Sequence, residues 1–173
     1  MINWKKCVAF HGHECPGLTV GYRAAEYATK LLGLRFSEDE QVVCIAENDT
    51  CSIDAIQVLL GCSIGKGNLL FHMTGKQAFS FYNRLNGCSV RLVLKQKPRN
   101  MTREESFKYY HTCTDSEMFD VKETSIEPPE RARLFDSYAC EFCGEIAGAN
   151  WIRIQDGKKV CLDCCVKYDR FRV

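Results

Sequence analysis

The chain has 173 residues, 46% of them hydrophobic and 26% charged, which is enough apolar material for a globular core and excludes a wholly disordered chain. Its 23 lysines and arginines nearly balance 22 aspartates and glutamates, and the resulting net charge of +1 argues against bulk attraction to nucleic acid. Because the apolar runs are too short to span a bilayer and residues 1–6 lack a signal-peptide pattern, we expect a cytoplasmic protein without a membrane or nucleic acid partner.

The first chemical feature in chain order is a cluster of metal-ligand side chains in residues 10–17, Phe-His-Gly-His-Glu-Cys-Pro-Gly. In an extended chain His11, His13 and Cys15 face the same side, and in a helix His11 and Cys15 still do. Pro16 suits a first helical turn, so Cys15 is expected at a helix N-terminus, where the macrodipole stabilises negative charge. The cluster predicts part of a metal site; a hydrogen-bonded histidine pair beside a buried cysteine is the structural alternative.

Helical and strand patterns then alternate through residue 126. The predicted helices cover residues 18–32, 52–60, 77–82 and 102–110. The predicted strands cover residues 42–46, 69–73 and 88–94, with 119–121 as an edge strand. Gly33 is expected to end the first helix, and Thr102 with Glu105 forms a capping box at the start of the last one. The patterns predict a layered α+β or α/β core domain over residues 1–126.

A second cluster, residues 47–54, reads Glu-Asn-Asp-Thr-Cys-Ser-Ile-Asp and follows a predicted strand. Loops after the carboxyl ends of strands are favoured ligand sites in layered sheets. If the two helix starts meet, Cys51 joins Cys15 and the histidines in a nitrogen and sulfur site. Fewer than four protein ligands would leave a position for water or substrate. The alternative is that the segment only caps a helix and packs Cys51. Its last residue, Asp54, is one candidate partner for Arg91 in the apolar strand.

A third segment, residues 61–68, has glycines around Lys66 and superficially resembles a phosphate loop. The match fails, since the glycines are one residue too close and Gly67 stands where a serine or threonine should bind magnesium. Backbone N–H groups in such a loop can still bind an anion. A plain turn into the next strand is the equal alternative.

The C-terminal third predicts a separate metal module. We expect a linking helix over residues 127–137, since Pro128 suits a first helical turn, followed by a zinc domain over residues 138–173. Its four cysteines follow the spacing C-x2-C, 17 residues, C-x2-C, and they are Cys140, Cys143, Cys161 and Cys164. This spacing is typical of a treble-clef or zinc-ribbon domain, and a hairpin with an Asp-Gly turn is predicted between the pairs. Four thiolates leave no open position, which indicates a structural zinc; free thiols or disulfides are the alternative. Twelve cysteines in a chain without an export signal favour metal binding over disulfides.

Taken together, the motifs resemble the FmdE-like family, named for the FmdE component of formylmethanofuran dehydrogenase. The resemblance runs over residues 4–125, and the zinc module resembles the treble-clef finger that some members carry. The segments that carry it are residues 10–18, 21–25, 47–57, 61–69, 75–79 and 90–91. Two positions depart from the family pattern: Glu14 stands where an apolar residue is common, and Ser63 where threonine is common.

The resemblance implies an α+β core with a mixed sheet flanked by helices, and an active site able to hold zinc or another transition metal. By motif position, the implied ligands are His11, His13, Cys15 and Cys51. His13 or the neighbouring Glu14 is the candidate general base. The resemblance also implies association with a molybdenum or tungsten formylmethanofuran dehydrogenase, but it supplies no reaction.

The sequence therefore predicts a metal-binding protein that acts in, or is accessory to, molybdenum or tungsten one-carbon metabolism, with catalysis left open. One alternative is a zinc-finger adapter or regulator without catalysis. Another is thiol redox chemistry through a disulfide between Cys15 and Cys51. We expect a homodimer, because small enzymes of this kind often pair.

Overall fold

The computed structural model describes residues 2–167 and residue 170. They form two compact units that meet in the chain at Ala132 and Arg133. The division falls inside residues 127–137, which were predicted to connect the domains. The first unit contains a single sheet with helices, and the second contains the four-cysteine module.

The first unit is built on a five-stranded sheet with the strand order β2-β1-β3-β4-β5. β1 pairs with β2 in parallel and with β3 antiparallel, and the remaining pairs are antiparallel, so the sheet is mixed as expected. The edge position predicted for residues 119–121 is confirmed. The strands are β1 (Val42–Ala46), β2 (Leu69–Phe71), β3 (Ala78–Asn83), β4 (Ser89–Leu94) and β5 (Phe119–Lys122).

The helices of the first unit are α1 (Ile2–His11), α2 (Pro16–Leu32), α3 (Ser52–Leu60), α4 (Arg103–Thr112) and α5 (Asp115–Met118). Three of the predicted helices are confirmed with their caps: Gly33 ends α2 at a φ of 62°, and the capping box of Thr102 and Glu105 begins α4. α1 and α5 were not predicted. Within the part of the chain that the structure describes, no helix is both long and apolar enough to cross a bilayer.

The predicted helix over residues 77–82 is wrong, because this segment is the central strand β3. Its sequence alternates, so that Phe79 and Phe81 are fully buried in the main core cluster while Tyr82 packs with the opposite cluster. β3 also has a hydrogen-bonded neighbour on each side. A strand enclosed on both faces and both edges satisfies every backbone group and buries alternate aromatic rings, which outweighs local helix propensity.

The predicted linking helix is also wrong, since the described backbone over residues 127–136 forms neither helix nor strand. Pro128 precedes Pro129, and a residue before proline is disfavoured in the helical region. Tertiary hydrogen bonds then take over: Arg84 Nη2 donates to Pro129 O at 2.7 Å, and Ala132 N donates to Glu40 Oε1 at 3.0 Å. Residues 127–132 are therefore an extended strap on the first unit.

α2 and α3 cross closely at Gly21, and this crossing positions both of their N-termini. A Cβ added at Gly21 would lie 1.9 Å from Ser52 O, so no larger residue fits without separating the helices. α1 also packs on α3, which places the C-terminus of α1 beside the starts of the other two helices. The helix ends that carry the first two motifs are thereby held on one side of the unit.

The second unit consists of two antiparallel hairpin-like sheets. The strands are β6 (Ser137–Ala139), β7 (Ile146–Gly148), β8 (Ile152–Gln155) and β9 (Lys158–Cys161), with a 3-10 turn at Ala149–Trp151. β8 and β9 are joined by Asp156 and Gly157, both at positive φ, so the predicted hairpin and its turn are confirmed.

Candidate metal centres

The four predicted cysteines of the second unit come together. The sulfur atoms of Cys140, Cys143, Cys161 and Cys164 all lie within 4.8 Å of one another. Gly144, at a φ of 79°, turns the chain so that its N–H donates to Cys140 O at 2.8 Å, and this tight turn lets both sulfurs of the first pair face one point. The arrangement can hold a metal ion with four thiolate ligands, which leaves no open position.

The electrostatics of this cluster suit a divalent cation. Backbone N–H groups of Cys143 and Cys161 lower the pKa of the Cys140 thiol to about 6. Hydrogen bonds with the thiols of Cys161 and Cys143 raise the pKa of Cys164 to about 12. Several thiols crowded together cannot all ionise unless a cation neutralises them, and metal binding supplies that charge.

In the first unit, His11, His13 and Cys15 form a second cluster, whose ligand atoms also lie within 4.8 Å of one another. His11 is the last residue of α1, and Cys15 is the N-cap of α2. Gly12, at a φ of 94°, makes the bend between the helices. The predicted placement of Cys15 at a helix start is confirmed: its sulfur accepts a hydrogen bond from Leu18 N at 3.3 Å and lies 3.7 Å from His11 Nε2.

The second ring nitrogen of His11 contacts Asp54, which the sequence had offered only as one candidate partner for Arg91. Asp54 Oδ2 lies 2.7 Å from His11 Nδ1. Asp54 is in the first turn of α3, three residues after Cys51. The contact between Asp54 and His11 was not predicted. The position of Asp54 on the same helix start as Cys51 was the available indication.

Cys51 lies beside the His11, His13 and Cys15 cluster without belonging to that compact group. A Cβ added at Gly17 would lie 3.7 Å from the sulfur of Cys51 and 3.9 Å from that of Cys15, so the glycine borders both thiols. Burial, followed by the proximity of Cys15, raises the pKa of the Cys51 thiol. The two helix starts therefore meet as the sequence suggested, while a ligand role for Cys51 stays a prediction.

The two candidate bases differ in their surroundings. His13 is exposed, and its ring centroid lies 4.5 Å from that of His11. Glu14 is exposed too, but its carboxylate accepts a hydrogen bond from Trp4 Nε1 at 3.0 Å. Glu14 is not among the grouped ligand atoms of the described residues, and it lines a separate surface hollow with Phe107. A catalytic role for either residue stays a prediction.

Other residues of the second motif make hydrogen bonds that hold the sheet and the turn into α3 together. Glu47 is buried, and its carboxylate accepts hydrogen bonds from Arg91 Nε at 2.6 Å and Thr74 Oγ1 at 2.9 Å. The partner of Arg91 is therefore a carboxylate as expected, but it is Glu47 and not Asp54. Asn48 Oδ1 accepts a bond from Thr50 Oγ1 at 2.8 Å, which organises the turn into α3.

The glycine loop over residues 61–68 is held by hydrogen bonds within the loop and to Ser37. Asn68 is fully buried, and its Oδ1 accepts from Ser63 N at 2.8 Å. Lys66 Nζ donates to Ser37 O at 2.6 Å and lies 5.5 Å from the centroid of the Phe36 ring. These contacts favour the turn into β2 over an anion site, because the loop's cation already bonds to a backbone carbonyl.

The chain thus has the class of an α+β protein with two ligand clusters that can each hold a metal ion. One cluster lies where α1 ends and α2 begins, and the other is the four-cysteine cluster of the second unit. The chain belongs to the FmdE family: the family's sequence model, described as FmdE, molybdenum formylmethanofuran dehydrogenase operon, matches residues 10–131. That stretch includes the His/Cys cluster, the second motif and the whole sheet. The resemblance expected from the motifs is confirmed.

Two known proteins are similar over most of this chain. An FmdE-like protein from Syntrophus aciditrophicus, named for tungsten formylmethanofuran dehydrogenase, has a solved structure that matches with a TM-score of 0.71 and 27% identity, covering 92% of this chain and 88% of that one. A probable S-adenosyl-L-methionine-binding protein from Archaeoglobus fulgidus is 28% identical over an alignment that covers 92% of this chain. The chain spans about half of that relative, 51% of its length.

Proposed function

We propose that this FmdE-family protein binds two metal ions with different roles. The four-cysteine module takes a structural zinc, and the His11, His13 and Cys15 cluster takes zinc or another transition metal with an open coordination position. The observation that carries the proposal is the compactness of the core cluster, whose three ligand atoms lie within 4.8 Å of one another at the ends of two helices.

The donor chemistry of the core cluster fits such an ion. Imidazole nitrogens with a thiolate are typical ligands of zinc and similar metals, and three protein ligands are the usual number for a reactive site. A metal ion bound there would supply Lewis acidity to a ligand in the open position. Cys51, on the neighbouring helix start, is a candidate fourth ligand, and the position is open to water or substrate only while Cys51 is unbound. His13 is exposed to solvent.

The ligand set also limits which residue can act as a general base. If His13 binds the metal, it is not free to act as a general base. Glu14 then becomes the candidate base, and it must release the indole N–H of Trp4 to reach the core cluster.

For the biological setting, we propose a role in or alongside a molybdenum or tungsten enzyme of one-carbon metabolism. The family description and the Syntrophus structure, both named for formylmethanofuran dehydrogenase, support this setting. Isolation of the tagged full chain from its native cells, followed by molybdenum and tungsten analysis of the eluate, tests it. Co-elution of molybdenum or tungsten with a stoichiometric partner protein supports the proposed role. Anaerobic preparations in which neither metal co-elutes contradict the role.

A non-catalytic adapter is the second candidate, and exposed apolar side chains of the four-cysteine unit favour it. Ile146 is 76% exposed, Ile154 69% and Trp151 57%. If the four-cysteine unit contacts a partner protein, the double variant Trp151→Ser, Ile154→Ser should no longer co-elute with that partner. The metal content of the core site should stay unchanged. Unaltered co-elution would contradict the adapter role.

S-adenosyl-L-methionine is a ligand to test on the core, because the Archaeoglobus relative is named as its probable binding protein. Its carboxylate is a donor that can fill a single open metal position. Isothermal titration of the full chain with and without core metal tests this directly. Binding that requires the metal would make it a ligand of the core site, and no heat in either state would dismiss it.

Metal content per chain tests the central proposal. Wild type should contain two metal ions after anaerobic reconstitution with zinc, and Cys15→Ala should contain one while its circular dichroism is unchanged. Cys88→Ala, which removes an exposed thiol outside both clusters, is the matched control and should keep both ions. Equal metal content in wild type and Cys15→Ala would refute the core site.

A further inference from the structure

We infer that Asp54 is a positioning residue of the core metal site, holding the His11 ring so that Nε2 is presented to the metal. The inference rests on the core metal site proposed above and adds a residue from a different helix to it. Asp54 itself touches the histidine and not the metal position.

The geometry of the pair determines which nitrogen of His11 is free. Asp54 Oδ2 lies 2.7 Å from His11 Nδ1, and because a carboxylate oxygen accepts, Nδ1 carries the hydrogen. In the neutral ring the lone pair then resides on Nε2. Nε2 faces Cys15, whose sulfur is 3.7 Å away, so the free nitrogen and the thiol converge on the same point.

The carboxylate is itself well anchored. Asp54 lies in the first turn of α3, and Gln57 Nε2, one helical turn later, lies 3.4 Å from its Oδ1. α3 is held against α2 by the backbone contact at Gly21. Since Cys15 caps α2 and Asp54 lies in the first turn of α3, the close helix crossing places the histidine between its thiol neighbour and its carboxylate partner.

The burial of the His11–Asp54 pair supports a positioning role, because a surface ion pair without such a role would be more exposed. The side chain of His11 is 10% exposed, and that of Asp54 is 33% exposed. A partly enclosed imidazole bonded through one nitrogen and facing a thiol with the other has the arrangement of a carboxylate–histidine–metal triad. In such triads the carboxylate orients the ring and raises its basicity, and its loss lowers metal affinity about 10- to 100-fold.

The test is a zinc competition titration of the full chain against a chromogenic chelator, under anaerobic conditions. Asp54→Ala should weaken the core site about 10- to 100-fold while the four-cysteine site keeps its affinity. Asp54→Asn should lose less zinc affinity, because the uncharged amide oxygen can still accept the hydrogen bond from His11 Nδ1–H. Asp49→Asn removes an exposed carboxylate from the same motif and should match wild type.

A second readout follows the histidine itself. In metal-free wild type, nitrogen-15 spectra should place the hydrogen of neutral His11 on Nδ1, and in Asp54→Ala the population should move towards the Nε2–H form. A residue that merely stabilised α3 would change the melting temperature without changing this tautomer. If Asp54→Ala does not fold, Asp54→Asn decides both readouts.

The outcomes separate this inference from the proposed function. A wild-type chain that binds zinc at the four-cysteine site alone would overturn both. A wild-type chain with two sites, and Asp54 variants with unchanged core affinity and unchanged His11 tautomer, would overturn the role of Asp54 and leave the core site standing.

Discussion

At the scale of single residues, Glu47 shows how a motif residue can serve the fold. Its carboxylate is buried at the end of β1 and bonds to Arg91 on β4, two strands away in the sheet. The bond from Arg91 holds the pKa of Glu47 below its ordinary value of 4.5. A group with a lowered pKa in the folded state stabilises the protein above its ordinary pKa, and that contribution is lost as the pH falls through the lowered value.

We therefore expect Glu47→Gln to reduce the free energy of unfolding by about 3 kcal/mol at neutral pH, because it leaves the Arg91 guanidinium buried without an ionic partner. Below about pH 4.5 the difference from wild type should shrink, because the unfolded chain then binds a proton at Glu47, and it should vanish once the pH has fallen through the lowered pKa of the folded state. Urea unfolding at a series of pH values measures both effects. Glu38→Gln, an exposed carboxylate change, should stay within about 0.5 kcal/mol of wild type.

Gly21 is a second residue on which the fold depends, because its lack of a side chain lets α2 and α3 cross closely. Gly21→Ala should destabilise the chain by about 2 kcal/mol or more, because the new Cβ would lie 1.9 Å from the backbone oxygen of Ser52. Thermal unfolding measures the loss, and zinc titration should show a weakened core site as α2 and α3 separate. Gly65→Ala, where nothing lies within 4 Å of the added Cβ, is the control. If Gly21→Ala and Gly65→Ala were equally stable, the close crossing of α2 and α3 at Gly21 would be contradicted.

At the scale of elements, the strap before the four-cysteine unit is held by side chains of the first unit. Glu40 is buried, and it accepts from Ala132 N while Arg84 donates to Pro129 O. Glu40 Oε2 also lies 3.6 Å from Arg84 Nη2, so the two side chains support each other. A segment held in this way needs no helix of its own.

Glu40→Ala should release the strap. We expect faster amide hydrogen exchange over residues 130–132, by about tenfold at Ala132, and a loss of about 1–3 kcal/mol of unfolding free energy because buried Arg84 loses its carboxylate partner. Exchange monitored by mass spectrometry measures the first effect and urea unfolding the second. Unchanged exchange at Ala132, with Glu38→Ala as reference, would show that Glu40 does not hold the strap.

At the scale of the whole molecule, the two units have different sources of stability. The described residues of the first include three clusters of buried apolar residues, the largest built on both helices and strands. Among the described residues of the second unit, Cys140 and Val160 are the buried ones. So small a core cannot offset the conformational entropy of folding without a cross-link such as a metal ion.

Removal of metal should therefore unfold the second unit and leave the first folded. On addition of a strong chelator, amide resonances from residues 137–167 should collapse to unfolded positions, because metal binding supplies the folding free energy of such a module. Resonances of the five-stranded sheet should keep their dispersion, and changes in the first unit should be confined to residues around His11 and Cys15. Zinc should restore the spectrum. Loss of both units together would contradict separate stabilisation.

Prediction from sequence worked where neighbouring residues decide the outcome. The capping box of Thr102 and Glu105, the Asp156–Gly157 turn and the paired cysteine spacing are each local, so a short stretch of sequence carries the whole physical cause. The His11, His13 and Cys15 cluster belongs to the same category, since its members lie within five residues of one another.

Only the tertiary structure decided the contacts that join distant segments. Asp54 binds His11 across 43 positions, and Glu47 binds Arg91 across 44. The central place of β3 in the sheet and the docking of the strap likewise depend on which surfaces meet. Local patterns fix a residue's chemistry and its element, but the partner of a charged group is set by helix crossing and strand order, which no short stretch of sequence encodes.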